Sequence, residues 1–143
     1  MTAFVLDCSA TAGFCLGDEP RAYYADVFDR LRRGDQALVP PLWHYELANS
    51  LLVAKKRKKI MADTISAFVE NMGSFRIKTI SPSWDHSLPF IEDNIYFADA
   101  HNLTVYDAAY LILAVQQNVA LATTDHALRK AAHSAGIADA VAA

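Results

Sequence analysis

The chain has 143 residues, of which 53% are hydrophobic and 20% charged, and its formal net charge is −3. This length provides one hydrophobic core, so we expect a single domain, and the composition excludes an intrinsically disordered chain. The acidic balance excludes a protein that holds nucleic acid by a bulk positive field alone, and no stretch approaches the roughly 18 uninterrupted apolar residues of a membrane helix.

The N-terminal segment and the two cysteines indicate a cytoplasmic protein. The first ten residues carry no positively charged region, and Asp7 interrupts their apolar run, so they do not resemble a signal peptide. Cys8 and Cys15 form no CxxC motif, and the five histidines show no HxxxH or HxH spacing. We therefore expect two reduced cysteines and no zinc site.

Strand-like and helix-like patterns alternate along the first half of the chain. Residues 3–6 form an apolar run that is followed by Asp7 and a cluster of Ser, Thr and Gly, which predicts a buried parallel strand ending in a loop. Residues 22–33 have helical spacing, and Gly34 is a stop signal. The remaining predictions in this half are a strand at 37–39 and helices at 42–56 and 62–71.

The second half continues the alternation. Residues 75–80 alternate and are rich in β-formers, which predicts a strand, and residues 84–102 are helical overall. The strongest helical pattern covers 106–117, a short strand follows at 119–122, and a last helix covers 126–134. Strands alternating with helices predict an α/β fold with a central, mainly parallel sheet covered on both faces.

Two acidic residues in the first half lie where a solvated surface charge is not the default interpretation. Asp7 directly follows the first strand, at the edge where α/β sheets gather ligands, although a turn-forming aspartate is the alternative. Glu46 lies near the edge of the buried face of its helix. Its alternative role is that of a favourable carboxylate near a helix N-terminus.

Two further aspartates lie at the starts of helices in the second half. Thr104 and Asp107 match a capping pattern, but Tyr110 and Leu111 share the side of the helix on which Asp107 lies. Asp107 therefore points towards a buried face, where an unpaired charge is costly. Asp125 is either the N-cap of the last helix or a second carboxylate at the sheet edge that Asp7 occupies.

The combination of four carboxylates indicates a metal site. Like charges brought together raise each other's pKa, so such a cluster needs cations to neutralise it. Mg²⁺ and Mn²⁺ prefer oxygen ligands, and two such ions would add four charges, changing −3 to +1. The chemistry that this site serves best is phosphodiester hydrolysis by two metals roughly 3.5–4 Å apart. The spacing permits the cluster and does not prove it.

Three segments resemble the PIN-domain family, and most closely its VapC-type toxins of bacterial toxin–antitoxin pairs. FVLDCSATAGFCLGDEP resembles the first strand, acid and hydroxyl residues of the family, and PPLWHYELANSLLVA resembles the helix that carries the family's glutamate, here Glu46. LTVYDAAYLILAVQQNVALATTDHALRKAAHSAGI resembles the third and fourth motifs as one block. The similarity covers almost the whole chain in the right order.

The resemblance implies a catalytic site that is also the metal site. Its acids would be Asp7, Glu46, Asp107 and Asp125. Asp7 and Asp107 would be direct ligands, and the other two acids would complete the shell or orient the attacking water. Ser9 and Thr124 occupy places where the family often has a supporting hydroxyl.

The resemblance also implies a fold, an activity and partners. The fold is a single PIN domain over residues 1–143, a PIN-like α/β/α sandwich with a central, mainly parallel sheet. The activity is that of a Mg²⁺- or Mn²⁺-dependent endoribonuclease that leaves a 5′-phosphate and a 3′-hydroxyl. The partners are the RNA substrate, a cognate antitoxin and a second copy of the chain in a homodimer.

One basic segment and one competing function stay open as alternatives, and two further functions lack a residue pattern that they need. Residues 55–59 (KKRKK), here called the basic run, either contact the RNA backbone or form a solvated helix end that complements the helix dipole. A PIN-fold binding module without useful turnover is the main competing function. A phosphatase of the haloacid dehalogenase type needs an acid where Ser9 stands, and a dinucleotide-binding domain needs a GxGxxG motif that the first strand lacks.

Overall fold

The computed structural model describes residues 2–81 and 87–141. Four strands of these ranges form one sheet in the order β3-β2-β1-β4, and every pairing is parallel. Val5 at the centre of the sheet lies opposite Leu38 on one side and Leu121 on the other. The strands are β1 (Ala3–Leu6), β2 (Gln36–Val39), β3 (Ile77–Thr79) and β4 (Ala120–Ala122).

Helices connect and cover these strands, which confirms the predicted α/β/α sandwich with a parallel sheet. Helix α6 packs on β1, β4, α5 and α7, and α1 packs against α2 and α3. None of the helices in the described ranges is long and apolar enough to cross a membrane. The helices of these ranges are α1 (Cys8–Leu16), α2 (Arg21–Arg32), α3 (Leu42–Lys56), α4 (Ala62–Met72), α5 (Leu88–Ala100), α6 (Val105–Gln117) and α7 (His126–Ser134).

Helix α1 replaces the loop that the sequence predicts after Asp7, so that prediction is wrong. The Ser, Thr and Gly residues of this segment favour turns in isolation, but Ala10 and Thr11 are fully buried here. The Thr11 hydroxyl also donates a hydrogen bond to the backbone carbonyl of Asp7 (3.1 Å). Gly13 allows close packing, because a Cβ at this position would lie 2.1 Å from the hydroxyl of Tyr24. Tertiary packing therefore outweighs local propensity.

Two other boundaries differ from the prediction. The strand predicted at 75–80 contains only residues 77–79, and Phe75 instead accepts a backbone hydrogen bond from Ile77. The helix predicted at 84–102 begins at Leu88, with Ser87 as its N-cap and Pro89 in its first turn, where the missing N–H breaks no helical hydrogen bond. Residues 84–86 of that prediction lie outside the described residues. The other predicted elements agree with the structure to within one or two residues at each end.

The topology places the sequence-predicted acids at one edge of the sheet. The chain moves from β1 outwards through β2 to β3, whereas β4 lies on the opposite side of β1. The strand order therefore reverses beside β1, and ligands of open α/β sheets bind outside the carboxyl ends of the strands at such a point. Asp7 follows β1 directly, and Asp125 follows β4 after two threonines.

The C-terminal segment is tied to β4 and to helix α2. Leu121 donates a backbone hydrogen bond to Ala138 (3.0 Å), and the same residue accepts one from Ala140 (3.0 Å). The Tyr23 hydroxyl donates to Asp139 (2.8 Å) and accepts from the buried backbone N–H of Thr123 (3.0 Å). One phenol thus joins α2, the C-terminal segment and the residue that follows β4.

We expect Tyr23→Phe to lower the free energy of unfolding by about 1–3 kcal/mol, because it leaves the buried N–H of Thr123 without its acceptor. The adjacent Tyr24→Phe is a matched control, since the Tyr24 hydroxyl makes only a long 3.5 Å hydrogen bond to Thr124. Urea unfolding of both variants measures the difference. Equal losses in the two variants would contradict the assigned role of Tyr23.

Candidate active site

A cavity of about 300 Å³ opens at the carboxyl edge of the sheet, and all four predicted acids border it. Asp7 follows β1, Glu46 lies in α3, Asp107 in the first turn of α6, and Asp125 at the N-terminus of α7. Four separate elements thus each contribute one carboxylate. Among the described residues, the others that border this cavity are uncharged at neutral pH: Cys8, Ser9, Ala12, Asn49 and Ser50.

Asp7 is the most deeply buried of the four acids, with 4% of its surface exposed. It stands at the N-cap position of α1, yet its side chain makes no capping hydrogen bond. Its Oδ2 instead accepts hydrogen bonds from the hydroxyls of Ser9 (2.7 Å) and Thr123 (2.7 Å). The alternative of a turn-forming aspartate therefore does not describe the side chain.

Thr123 is a site residue that the sequence interpretation missed, as it missed the contact of Tyr110 with Glu46. The prediction named Ser9 and Thr124 as the supporting hydroxyls, and only Ser9 contacts Asp7. Thr124 contributes its backbone N–H, which donates to Ser9 Oγ (3.0 Å), while the Thr123 hydroxyl accepts from the backbone N–H of Asp125 (3.0 Å). Each hydroxyl thus accepts from a backbone N–H and donates its own proton to Asp7, which fixes its orientation.

Glu46 is held by a tyrosine from the neighbouring helix. Its Oε1 accepts a hydrogen bond of 2.5 Å from the hydroxyl of Tyr110, a fully buried residue of α6. Burial raises the pKa of Glu46, the charges of Asp7 and Asp107 raise it further, and the Tyr110 hydroxyl lowers it. Tyr110 therefore favours the ionised form of Glu46 in an environment that opposes it.

Asp125 caps a helix and borders the cavity at the same time. Its Oδ1 accepts a hydrogen bond from the backbone N–H of Leu128 (2.8 Å), so the N-cap interpretation is confirmed. At Asp107 the capping hydroxyl belongs to Thr104, which accepts from the Asp107 N–H (3.1 Å). Burial raises the pKa of Asp107, and the charge of Asp125 raises it further. Capping and a place at the cavity are therefore compatible.

The cavity is a region of uncompensated negative charge. Among the described residues, no Lys or Arg forms an ion pair with any of the four acids. Burial is the largest cause that raises the pKa of Asp7, and the charge of Asp107 adds to it. A cation bound among these carboxylates would lower the electrostatic cost of keeping them ionised.

The donor set fits a hard divalent cation by its chemistry. Carboxylate oxygens are the ligands that Mg²⁺ and Mn²⁺ prefer, and both ions keep several waters. The side chains border one cavity without converging on one point. Within residues 2–81 and 87–141, no group of three or more His, Cys, Asp or Glu side chains is arranged to hold a metal ion. A cation here would therefore be held by few direct ligands and by water.

Cys8 borders the same cavity and is unsuited to thiolate chemistry. Its thiol is free and buried, and burial together with the charge of Glu46 raises its pKa to about 12. The raised pKa disfavours the thiolate form at neutral pH. The other polar side chains that border the cavity present oxygen or amide groups.

Comparison with known proteins supports the fold. No protein-family model matches the chain, and no curated protein is similar to it in sequence. The chain is similar in structure to PAE2754 from Pyrobaculum aerophilum, with a TM-score of 0.62 and 20% sequence identity. The match covers 91% of this chain and 79% of that one. At this level of identity the likeness shows a shared α/β fold and nothing of the activity.

We expect Asp7→Asn to raise the melting temperature of the metal-free protein at pH 7. Above about pH 3.8 the unfolded chain releases the Asp7 proton before the folded chain does, because burial raises the folded-state pKa. The free energy of unfolding therefore falls as pH rises towards the folded-state pKa, and it stays lower above it. Asparagine does not titrate, so the variant avoids this fall in the free energy of unfolding. The difference in melting temperature between the variant and the parent should therefore shrink near pH 4, where little of the fall has occurred.

Thermal unfolding in EDTA at several pH values measures this effect. Asp99→Asn is the matched control, because Asp99 is an exposed aspartate of α5 that does not border the cavity. A variant at Asp7 that is less stable than the parent at pH 7 would contradict the assigned electrostatic cost.

We expect Tyr110→Phe to raise the pKa of Glu46, because it removes the hydrogen bond that lowers it. A carbon-13 NMR titration of the glutamate carboxyls resolves this shift, since the chain has only four glutamates. The loss of a buried hydrogen bond to a charged group should also cost about 1.5–3 kcal/mol of stability. Tyr106→Phe, an exposed tyrosine of the same helix, should change neither quantity. An unshifted Glu46 in Tyr110→Phe would show that the hydrogen bond does not control its charge.

Proposed function

We propose that the protein is a metal-dependent endoribonuclease of the PIN-domain type, the toxin of a cytoplasmic toxin–antitoxin pair. The observation that carries the proposal is the cavity itself. Four carboxylates from four elements border it at the point where the strand order reverses, and no cationic side chain of the described residues borders it. The order of the sequence motifs supports the same function.

The four acids would divide the work of holding Mg²⁺ or Mn²⁺. Asp7 and Asp107 would be direct ligands, while Glu46 and Asp125 would complete the shell or orient the attacking water. When bound, the divalent cation supplies charge stabilisation at the phosphate and makes water a better nucleophile. The chain's own part is to hold these oxygens in place around the cavity.

The hydrogen bonds around the acids explain how their positions are kept. Ser9 and Thr123 hold one oxygen of Asp7, and Tyr110 holds one oxygen of Glu46. Asp125 is held by the backbone N–H of Leu128 at the start of α7. Such partners of ligand residues typically affect metal affinity or activity by 10- to 100-fold. The site is therefore supported from α1, α6, α7 and the residue that follows β4.

Other reactions fit the cavity less well. A phosphatase of the haloacid dehalogenase type needs an acid two residues after the nucleophile, and the hydroxyl of Ser9 at that position instead donates to Asp7. A cysteine nucleophile fits less well, because burial raises the pKa of Cys8 to about 12 and disfavours its thiolate at neutral pH. Phosphodiester hydrolysis needs only what the cavity contains, carboxylates and room for cations.

A binding module is the second candidate, and an exposed apolar surface favours it. A cavity of about 330 Å³ lies between α3, α5 and α6, lined by apolar groups that include Tyr45 and Tyr106, which are 81% and 67% exposed. Helix α5 adds exposed Leu88, Ile91 and Ile95. Exposed patches of this kind mark protein interfaces. They suit the homodimer and antitoxin contacts that belong to the proposed function, and they would equally serve a module without turnover.

Cleavage of total RNA by the purified protein, free of any antitoxin, tests the proposal. We expect discrete fragments with Mg²⁺ or Mn²⁺ and none in EDTA, since the carboxylates alone cannot stabilise the phosphate charge. Asp7→Asn should lower the rate by on the order of a hundredfold or more. Asp99→Asn, on the exposed face of α5, should cleave as the parent does.

The same experiment separates the two candidates. An identical fragment pattern from the parent and Asp7→Asn would identify a contaminating nuclease and favour the binding module. Mapping the fragment ends adds a second criterion, because the proposed reaction leaves a 5′-phosphate and a 3′-hydroxyl. A 2′,3′-cyclic phosphate would contradict the metal-dependent mechanism.

A further inference from the structure

Helix α3 joins the acidic cavity to the basic run (residues 55–59). We propose that the basic run binds the phosphate backbone of the RNA substrate, a few nucleotides from the phosphate held at the cavity. This inference rests on the proposed function and adds the path of the substrate. It chooses between the two interpretations, backbone contact and solvated helix end, that the sequence left open.

One face of α3 runs from the cavity to the basic run. Glu46, Asn49 and Ser50 border the cavity from this helix. Steps of three and four residues continue the same face through half-buried Val53 to exposed Arg57. With a rise of 1.5 Å per residue, Arg57 lies about 16 Å along the axis from Glu46, a distance that a few nucleotides of single-stranded RNA can span.

The charges of the basic run are available to a ligand. All five residues are exposed, and they are five of the thirteen Lys and Arg residues of the chain. Among the described residues, none of the five forms an ion pair, whereas Arg21, Arg30, Arg32 and Arg129 each pair with an acid. The chain is negative overall, and these five consecutive cations are the longest basic run in its sequence, which makes them its best candidate contact for a polyanion.

The backbone of the basic run carries a second observation. Helix α3 ends in a Schellman motif, in which the N–H of Lys59 donates to Ala54 (2.9 Å) and that of Lys58 donates to Lys55 (2.9 Å). Lys58 therefore takes the left-handed position, with a φ of 58°. Glycine is the residue favoured there, because a side chain is strained in this conformation. Lysine at this position is therefore less stable than glycine would be. A contact between its charge and a phosphate would account for a lysine here.

Lys58→Gly separates binding from stability. A merely structural lysine would be replaced by glycine without loss, and the helix end would become more stable. If Lys58 contacts phosphate, the same variant has an equal or higher melting temperature and a weaker affinity for RNA. The opposite signs of these two changes distinguish a ligand contact from damage to the fold.

Fluorescence anisotropy of a labelled single-stranded RNA of about 12 nucleotides measures the affinity. The full chain with Asp7→Asn is the parent, so that the RNA is not cut, and Mg²⁺ is held constant while the salt concentration varies. We expect Lys56→Gln with Arg57→Gln to weaken binding by roughly tenfold and to lower the slope of log K against log salt by about 0.7 per contact. Lys58→Gly should weaken binding severalfold. Lys78→Gln, an exposed lysine on β3 away from the cavity, should bind as the parent does.

Several results would overturn this proposal. They are affinities in the basic-run variants equal to those of the parent, an equal loss in Lys78→Gln, or no binding of RNA by the parent. Competition by polyglutamate or by anionic vesicles as strong as that by unlabelled RNA would also overturn it, since the run would then serve an acidic protein or a membrane.

Cleavage kinetics in the chain with Asp7 intact distinguish this proposal from the proposed function. We expect the basic-run variants to raise KM and to leave kcat unchanged, because they remove binding far from the reacting phosphate. Cleavage with an unchanged KM would overturn the role of the basic run and leave the proposed nuclease standing. If the protein never cleaves RNA but the basic-run variants lose RNA binding, the proposed nuclease activity would be overturned. The proposed RNA-binding surface would then still stand.

Discussion

The burial of one carboxylate determines much of how this molecule is arranged. Asp7 ends the central strand with almost no exposure, and an ionised carboxylate in such a place must be hydrogen-bonded. Its two hydroxyl donors come from α1 and from the residue after β4. Both bonds can form because α1 begins directly after Asp7 and because β4 lies beside β1. The parallel pairing of β1 with β4 meets the second of these conditions.

Further contacts hold the donors in turn. Thr123, which donates to Asp7, is fixed through its backbone N–H by Tyr23 and through its carbonyl by Arg129 (2.6 Å). Asp139 then accepts from Tyr23 and pairs with Arg129. The C-terminal segment thus contacts the residues that support the site through two intermediate side chains, although none of its described residues borders the cavity.

The periodicity of the sequence was sufficient for most of the fold, and the four acids that the sequence singled out border one cavity. It failed where local composition and tertiary packing disagree, as in α1, whose Ser, Thr and Gly residues pack against α2 and α3. It also could not choose between Thr123 and Thr124. An alternating strand shows which side chain points to which face, but Leu121 and Ala122 are both buried, so β4 has no polar face to orient the residues that follow it.

Each acid has an ordinary structural role, and these roles do not account for the charge. Asp125 caps α7 and Glu46 accepts from Tyr110, yet asparagine or serine caps a helix as well as aspartate does. A neutral amide in place of Asp7 would likewise accept hydrogen bonds from the hydroxyls of Ser9 and Thr123. It would do so without the electrostatic cost that raises the pKa of Asp7. The structural roles need oxygen atoms and not negative charge, whereas the proposed divalent cation would give the four charges a function. The electrostatic cost of placing these charges around one cavity is therefore the physical basis of the proposal that it binds cations.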